Sequence, residues 1–171
     1  MSGISFVEPL LYMLAAIAIL FAAAYNIFSL RNGERMRRAE LRTKKAELLW
    51  SIYRRWDDSD FLRAWNEVSA WQWKDYDDYM ARYGPGSDPE NEVKRGMIGI
   101  YFESVGVLLK RGLIDVFEVD DMMSGYIIAY WAKFSPVMAE FRKRNNRPEA
   151  GEHIEYLYRE VKKVYDSQHK S

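Results

Sequence analysis

The sequence predicts an all-α protein: one N-terminal transmembrane helix followed by a bundle of about five to seven helices. Three observations carry that reading. Residues 10–28 form an apolar run with no charge. Beyond it, apolar residues recur at helical spacing in several segments, each opened or closed by Asp, Pro or Gly. No stretch of useful length shows the alternation of a half-buried strand.

The apolar run, Leu10 to Phe28, is 19 positions long with Asn26 as its single polar residue. With flanking Phe6, Val7 and Leu30 it reaches the roughly 20 residues that a bilayer core requires. A signal peptide is the rival reading, with Ala22-Ala23-Ala24 imitating a cleavage site. That reading lacks the positive n-region, because the first 30 residues contain no Lys or Arg.

Charge is distributed unevenly. Arg31, Arg35, Arg37, Arg38, Arg42, Lys44 and Lys45 stand against Glu34 and Glu40, a local net of +5, and residues 46–171 carry 18 basic and 22 acidic side chains. A basic collar beside an apolar segment suits anionic lipid headgroups. Lys/Arg excess marks the cytoplasmic flank. The expected topology is therefore a single pass of the cell membrane, N-terminus outside and C-terminal domain in the cytoplasm. The acidic remainder argues against a nucleic-acid surface. With no cysteine in the chain, disulfides and thiolate metal sites are excluded.

Three regions follow: an anchor (residues 1–31), a basic juxtamembrane segment with a connecting helix (32–58), and an aromatic-rich helical domain (59–171). Leu41, Leu48, Ile52 and Trp56 place a helix after the span, with Asn32-Gly33 its weak point. Asp57, Asp58, Ser59 and Asp60 supply N-cap candidates for the next helix, which carries Phe61, Trp65 and Val68. A short helix from about Asp75, with Tyr76, Tyr79 or Met80, and Tyr83 on one side, ends at Gly84-Pro85-Gly86. Asp88-Pro89 restarts the chain as N-cap and first helical residue. That central helix is predicted over 89–111, with Gly112 beyond it. Asp115 and Glu118 form a capping-box pair. Met122, Tyr126, Ile127, Tyr130, Trp131 and Phe134 then line one face, and Ser135-Pro136 is expected to kink the helix or start another. A last helix from about Gly151 to Val164 turns Ile154, Leu157, Tyr158, Val161 and Tyr165 inward. The tail from Asp166 is expected to fray.

The stretch Ile100-Tyr101-Phe102-Glu103-Ser104-Val105-Gly106-Val107-Leu108-Leu109-Lys110-Arg111-Gly112-Leu113-Ile114-Asp115, followed by Tyr130-Trp131, Arg142 and Glu155-Tyr156-Leu157-Tyr158, resembles a known pattern. It is similar to a bacterial and archaeal family of small membrane-anchored helical proteins that bears the label domain of unknown function. The resemblance covers roughly residues 47–165. It implies the anchor-plus-bundle architecture and no particular activity.

Glu103 is the most pointed polar residue, the single charge between Gly96 and Leu109. A carboxylate on an apolar helix must find a cation or several donors. Arg142, Tyr126, Tyr130 and Trp131 are the candidate partners by type. Glu103, Tyr130, Trp131 and Arg142 therefore form the candidate binding set. A structural ion pair or hydrogen-bonded carboxylate is the plainer role for Glu103. Gly96, Gly99 and Gly106 each weaken a helix by roughly 1 kcal/mol, which implies close approach of a helix or ring. The six tryptophans and twelve tyrosines read as core filler rather than a cation cage, and one of Trp71 and Trp73 is expected on the surface. Asp75, Asp77 and Asp78, and separately Asp120 and Asp121, do not follow the calcium-loop pattern. The two histidines, His153 and His169, stand in no Glu-x-x-His pair. Neither a metal nor another cofactor is expected, and no catalytic residue is assigned.

The functional expectation is a membrane-tethered, non-enzymatic interaction or accessory protein that engages the bilayer, its anionic headgroups and a protein partner. The alternative is an enzyme or small-ligand-binding domain using Glu103 in an aromatic pocket. An exposed apolar patch with a closed, paired Glu103 would favour the first. A concave cavity with an unpaired Glu103 would favour the second.

Overall fold

The computed structural model describes residues 7–169, so Phe6 lies outside the described residues, as do the last two positions of the tail. Among the described residues there are six α-helices and a 3-10 turn: α1 (Val7–Tyr53), the turn (Arg54–Asp57), α2 (Ser59–Ala70), α3 (Tyr76–Tyr83), α4 (Pro89–Lys110), α5 (Val116–Asn145) and α6 (Glu152–Gln168). The chain divides into two units, residues 1–46 and 47–171.

In the first unit α1 is unbroken through Asn32-Gly33. The flanking Arg, Glu, Met and Ala are strong helix formers and outweigh one glycine. Leu10, Phe21, Phe28 and Leu30 are all exposed. This helix is long and apolar enough to cross a membrane, which suggests anchoring.

The second unit is a helical bundle. Its local starts follow from side chains that accept otherwise unpaired N–H groups. Asp58 accepts from Asp60 and Phe61 to open α2, and Asp75 accepts from Asp78 to open α3. Asp88 accepts from Glu90 with Pro89 at the first helical position. Asp115 and Glu118 form the full capping box of α5. Gly112, at φ 67°, turns the chain out of α4. The C-terminal end of α2 is covered from α5: Lys133 Nζ donates to the carbonyls of Ser69 and Trp71, both at 2.6 Å.

The expected break in α5 is displaced. The helix continues through Pro136, and the non-helical residue is Met123 (φ −153°, ψ 19°). Ser124-Gly125 follows it directly, two residues of low helix propensity. The last helix is longer than expected, reaching Gln168.

Ile98, Phe102, Val105 and Leu109 of α4 are buried, a stripe at i, i+4, i+7, i+11. The α6 residues Ile154, Leu157, Val161 and Val164 are buried too. The helices α4, α5 and α6 supply most of the interhelical packing. At Gly106 α4 and α6 approach too closely for a side chain, since a Cβ there would overlap the His153 carbonyl. At the other end of the core the Trp56 indole meets Phe61, Trp65 and Tyr101 edge to face at 5.0, 5.4 and 6.1 Å. Its Nε1 donates to the Tyr101 hydroxyl at 3.0 Å, and that hydroxyl donates to the Ile52 carbonyl at 3.2 Å. Ile52 lies in the last turn of α1, whose carbonyls lack helical partners. One phenol thus satisfies a helix end and a buried indole together. Trp71 is buried against Tyr83, stacked at 4.3 Å, and Trp73 is half-buried over Phe134 at 5.3 Å. The expectation that one of this pair is exposed is not met: the chain leaves α2 at Trp71, so no single helix orients both. The exposed tryptophan is Trp50, on α1.

Candidate functional site

A cavity of about 480 Å³ opens among α3, α4, α5 and the start of α6. Gly96 and Gly99 give α4 a bare strip along it. A Cβ at Gly99 would sit 3.3 Å from the Tyr130 hydroxyl, whereas Gly96 has open space in front of it. The close-approach role expected of all three glycines therefore holds at Gly99 and Gly106. Gly96 leaves room instead. Phe134, Val137, Met138 and Phe141 of α5 make an apolar wall, joined by Tyr79 and Met80 of α3 and Ile154 of α6.

Six polar side chains line this apolar space: Tyr76, Tyr79, Arg95, Glu103, Tyr130 and Arg147. Tyr79 is 3% exposed and Tyr130 7%. Burial pushes the Tyr79 phenol up to about 12 and the Tyr130 phenol further still, against the pull of the nearby Arg95 charge. Both are therefore neutral hydroxyls over the physiological range. The Arg95 guanidinium has one distant carboxylate, Glu92, at 3.9 Å. Its Nε is sealed from solvent without a hydrogen-bond partner among the described residues. An unmet donor of this kind costs roughly 1–3 kcal/mol. A ligand acceptor would relieve it.

Glu103 stands at the far side, 34% exposed at its side chain. Its Oε2 accepts the backbone N–H of Ile154 at 3.0 Å, and its Oε1 lies 3.7 Å from His153 Nδ1. The N-cap of α6 is Gly151, which has no side chain to offer. A carboxylate on α4 therefore caps α6 from outside, where negative charge also suits the helix dipole.

The expected partners of Glu103 are thus corrected. Arg142 pairs with Glu155 at 2.7 Å and donates to the Ala150 carbonyl at 2.7 Å, bracing the α5–α6 connection. Tyr126 packs on Trp56 at 4.1 Å. Trp131 is buried near Tyr158 at 6.2 Å. Of the four expected binding residues, Glu103 and Tyr130 reach the cavity, and Trp131 and Arg142 do not. The reason is angular. Trp131 follows Tyr130 directly and so points about 100° around the helix from it.

Arg95 and Tyr79 were not anticipated as site residues. The order Arg95-Gly96-x-x-Gly99-x-x-x-Glu103 was the available signal: two glycines framed by opposite charges on neighbouring faces of one helix. The collar residues Arg31, Arg35, Arg37, Arg38, Arg42, Lys44 and Lys45 all lie on α1. Two of them form exposed pairs within that helix, Arg38–Glu34 at 3.9 Å and Lys44–Glu40 at 2.6 Å. No group of three or more His, Cys, Asp or Glu that could hold a metal occurs among the described residues.

A family model described as Domain of unknown function (DUF4760) matches residues 13–161. The chain belongs to this family. The match begins inside the apolar segment and ends in α6, so the DUF4760 unit takes in most of that apolar segment as well as the cavity-bearing bundle. The resemblance read from residues 100–158 is thereby confirmed as to family, and the match reaches further towards the N-terminus than that resemblance did. No curated protein and no solved structure matches the chain. The family carries no assigned activity, so a functional reading rests on the geometry of the cavity.

Proposed function

We propose that this DUF4760 protein is a membrane-tethered, non-enzymatic binding domain that takes a small, largely apolar molecule with one anionic end. The observation that carries the reading is Arg95: its donor is unmet at the edge of an otherwise apolar cavity of about 480 Å³. That volume lies in the range of ligand sites, about 300–1,000 Å³, and apolar walls with a few convergent polar groups are their usual lining. Arg147 also reaches the rim, where it pairs with Glu149 at 3.1 Å, so Arg95 is the guanidinium that would meet an acid. Tyr79 and Tyr130 add neutral hydroxyls that donate to or accept from the same polar end. The basic collar after an apolar helix supports a cytoplasmic position for the domain. Glu103 is paired as the cap of α6, so it is the concave cavity with the unmet Arg95 donor, and not Glu103, that favours ligand binding over a purely accessory role. The exposed apolar residues of the bundle, such as Val93, Leu113 and Phe117, are scattered side chains of the kind any surface carries.

The test uses the full chain in nanodiscs and three probes of one size: phenylacetate, phenethyl alcohol and phenethylamine. The acid should raise the melting temperature saturably, the alcohol little and the amine not at all. Arg95→Gln should abolish the response. Equal responses to all three probes, or an undiminished one in Arg95→Gln, would rule the reading out. Orientation is read separately, by labelling single cysteines placed at Ser2 and Ser167 with an impermeant reagent on intact cells. Only the first should react.

A further inference from the structure

The part of α1 that follows the apolar segment has a pattern that neither anchoring nor the cavity uses. From Glu34 to Glu47 nine of the fourteen residues are charged. Four of the five uncharged ones, Met36, Ala39, Thr43 and Ala46, stand at alternating spacings of three and four. The same spacing continues through Trp50 and Tyr53, all on one unbroken helix. Leu41 alone lies off the line. Such a 3-4 repeat is a heptad seam, with Met36, Thr43 and Trp50 at a and Ala39, Ala46 and Tyr53 at d. The seam is open: Met36 is 74% exposed and Trp50 56%. The Thr43 hydroxyl is turned back to the Ala39 carbonyl at 3.1 Å, so its methyl is left to the seam. Where the end of α1 touches the bundle core it uses Leu48, Leu49 and Ile52; Leu48 and Ile52 lie about half a turn from Trp50, and Leu49 about 100° from it.

We propose that α1 pairs along this seam with α1 of a second copy of the chain, as a parallel, in-register, two-stranded coil. Charge complementarity identifies the occupant and its direction. The g positions beside the seam are Arg35 and Arg42, and the e positions are Glu40 and Glu47. A parallel coil sets each g residue against the e residue five positions on in its partner. Arg35 thereby meets Glu40 of the second copy and Arg42 meets its Glu47, each pair occurring twice by symmetry. An antiparallel coil would set arginine against arginine and glutamate against glutamate. Arg35, Arg42 and Glu47 have no ion-pair partner among the described residues, and Glu40 holds the exposed Lys44. Alanine at d lets the two backbones approach closely. The same spacing carried back into the apolar segment meets Asn32, Ser29, Tyr25, Ala22 and Ala18, a charge-free line rich in the small residues that membrane helix pairs favour. The proposal is independent of the cavity. It uses the anchor only in that two anchored copies enter a bilayer in the same sense.

The absence of cysteine allows a direct test in native membranes. Single cysteines at Ala39 or Ala46 should give a disulfide-linked dimer on mild oxidation, because equivalent seam positions face each other. Cysteines at Leu41 or Lys44 should cross-link about tenfold less or lower. Equal yields at all four sites, higher yields off the seam, or no dimer at any of them would overturn the proposal. A charge exchange gives the second readout. Ala39→Cys chains with Arg35→Glu and Arg42→Glu should lose most self-cross-linking, as should those with Glu40→Arg and Glu47→Arg. Co-expressed, the two forms should recover it as a mixed dimer. Failure of the mixed dimer to recover would refute the assigned charge pairing. The phenylacetate response of the cavity should be the same in every one of these variants.

Discussion

Glu103 on α4 accepts the backbone N–H of Ile154 on α6 at 3.0 Å. The cap that a local Ser or Asp would give this helix comes instead from a residue 51 positions earlier in the sequence. Glu103→Ala should therefore destabilise the protein by about 1 kcal/mol, the usual cost of losing an N-cap. Glu103→Gln should lose less, since its amide oxygen still accepts. Urea unfolding of both variants measures the difference. Equal stability of Glu103→Ala and the parent protein would show that the contact contributes nothing to the fold.

Two glycines on one helix should respond in opposite directions. Gly106→Ala puts a methyl into the His153 carbonyl, which neither backbone can yield cheaply. A loss of about 1–3 kcal/mol is expected from overpacking of this kind. Gly96 has nothing within reach of an added Cβ, so Gly96→Ala should stabilise by up to about 1 kcal/mol through helix propensity. Thermal melts of the two variants decide it, and the same sign for both would contradict the packing described.

Alkaline pH should unfold the bundle earlier than its surface chemistry implies. Burial pushes Tyr79 and Tyr101 up to about 12 from an ordinary value of 10.0, and Tyr130 further in the same direction. An unfolded chain loses these protons first as pH rises, so the stabilisation is complete below pH 10 and is lost between 10 and about 12. Tyrosinate absorbance of the folded protein should show three of the twelve tyrosines ionising last, together with the loss of helical dichroism. Uniform titration of all twelve near their ordinary value, with the helices intact, would contradict this.

Helix starts were readable because their causes are local. Asp58, Asp75, Asp88 and Asp115 each act on N–H groups two or three residues away. Chemistry that depends on two distant segments was not readable in the same way. The charge of Glu103 announced that it needed a partner, but the partner is a backbone N–H, which has no signature in the side-chain alphabet. The break at Met123 escaped for a related reason. Proline is the visible marker of a bend, yet Pro136 sits in continuous helix, and the Ser124-Gly125 pair gives only a weak signal. Tyr130 was within reach of sequence reasoning because it lies on the same face as Ile127 and Phe134. Arg95 was not, because exposed and cavity-lining arginines look alike in a sequence.

The close packing of α6 against α4 and α5 also sets an order of events during synthesis. The α6 strip of Ile154, Leu157, Val161 and Val164 follows both of the helices it covers. As the chain emerges, α1 to α5 are available while the core is still open on one side. Their apolar faces then wait for residues 152–164, and a ribosome that stops short of them leaves a product with its core uncovered. Such a fragment presents the kind of surface that proteases and chaperones sort by. Closure of the core by α6 thus comes after every helix that it covers.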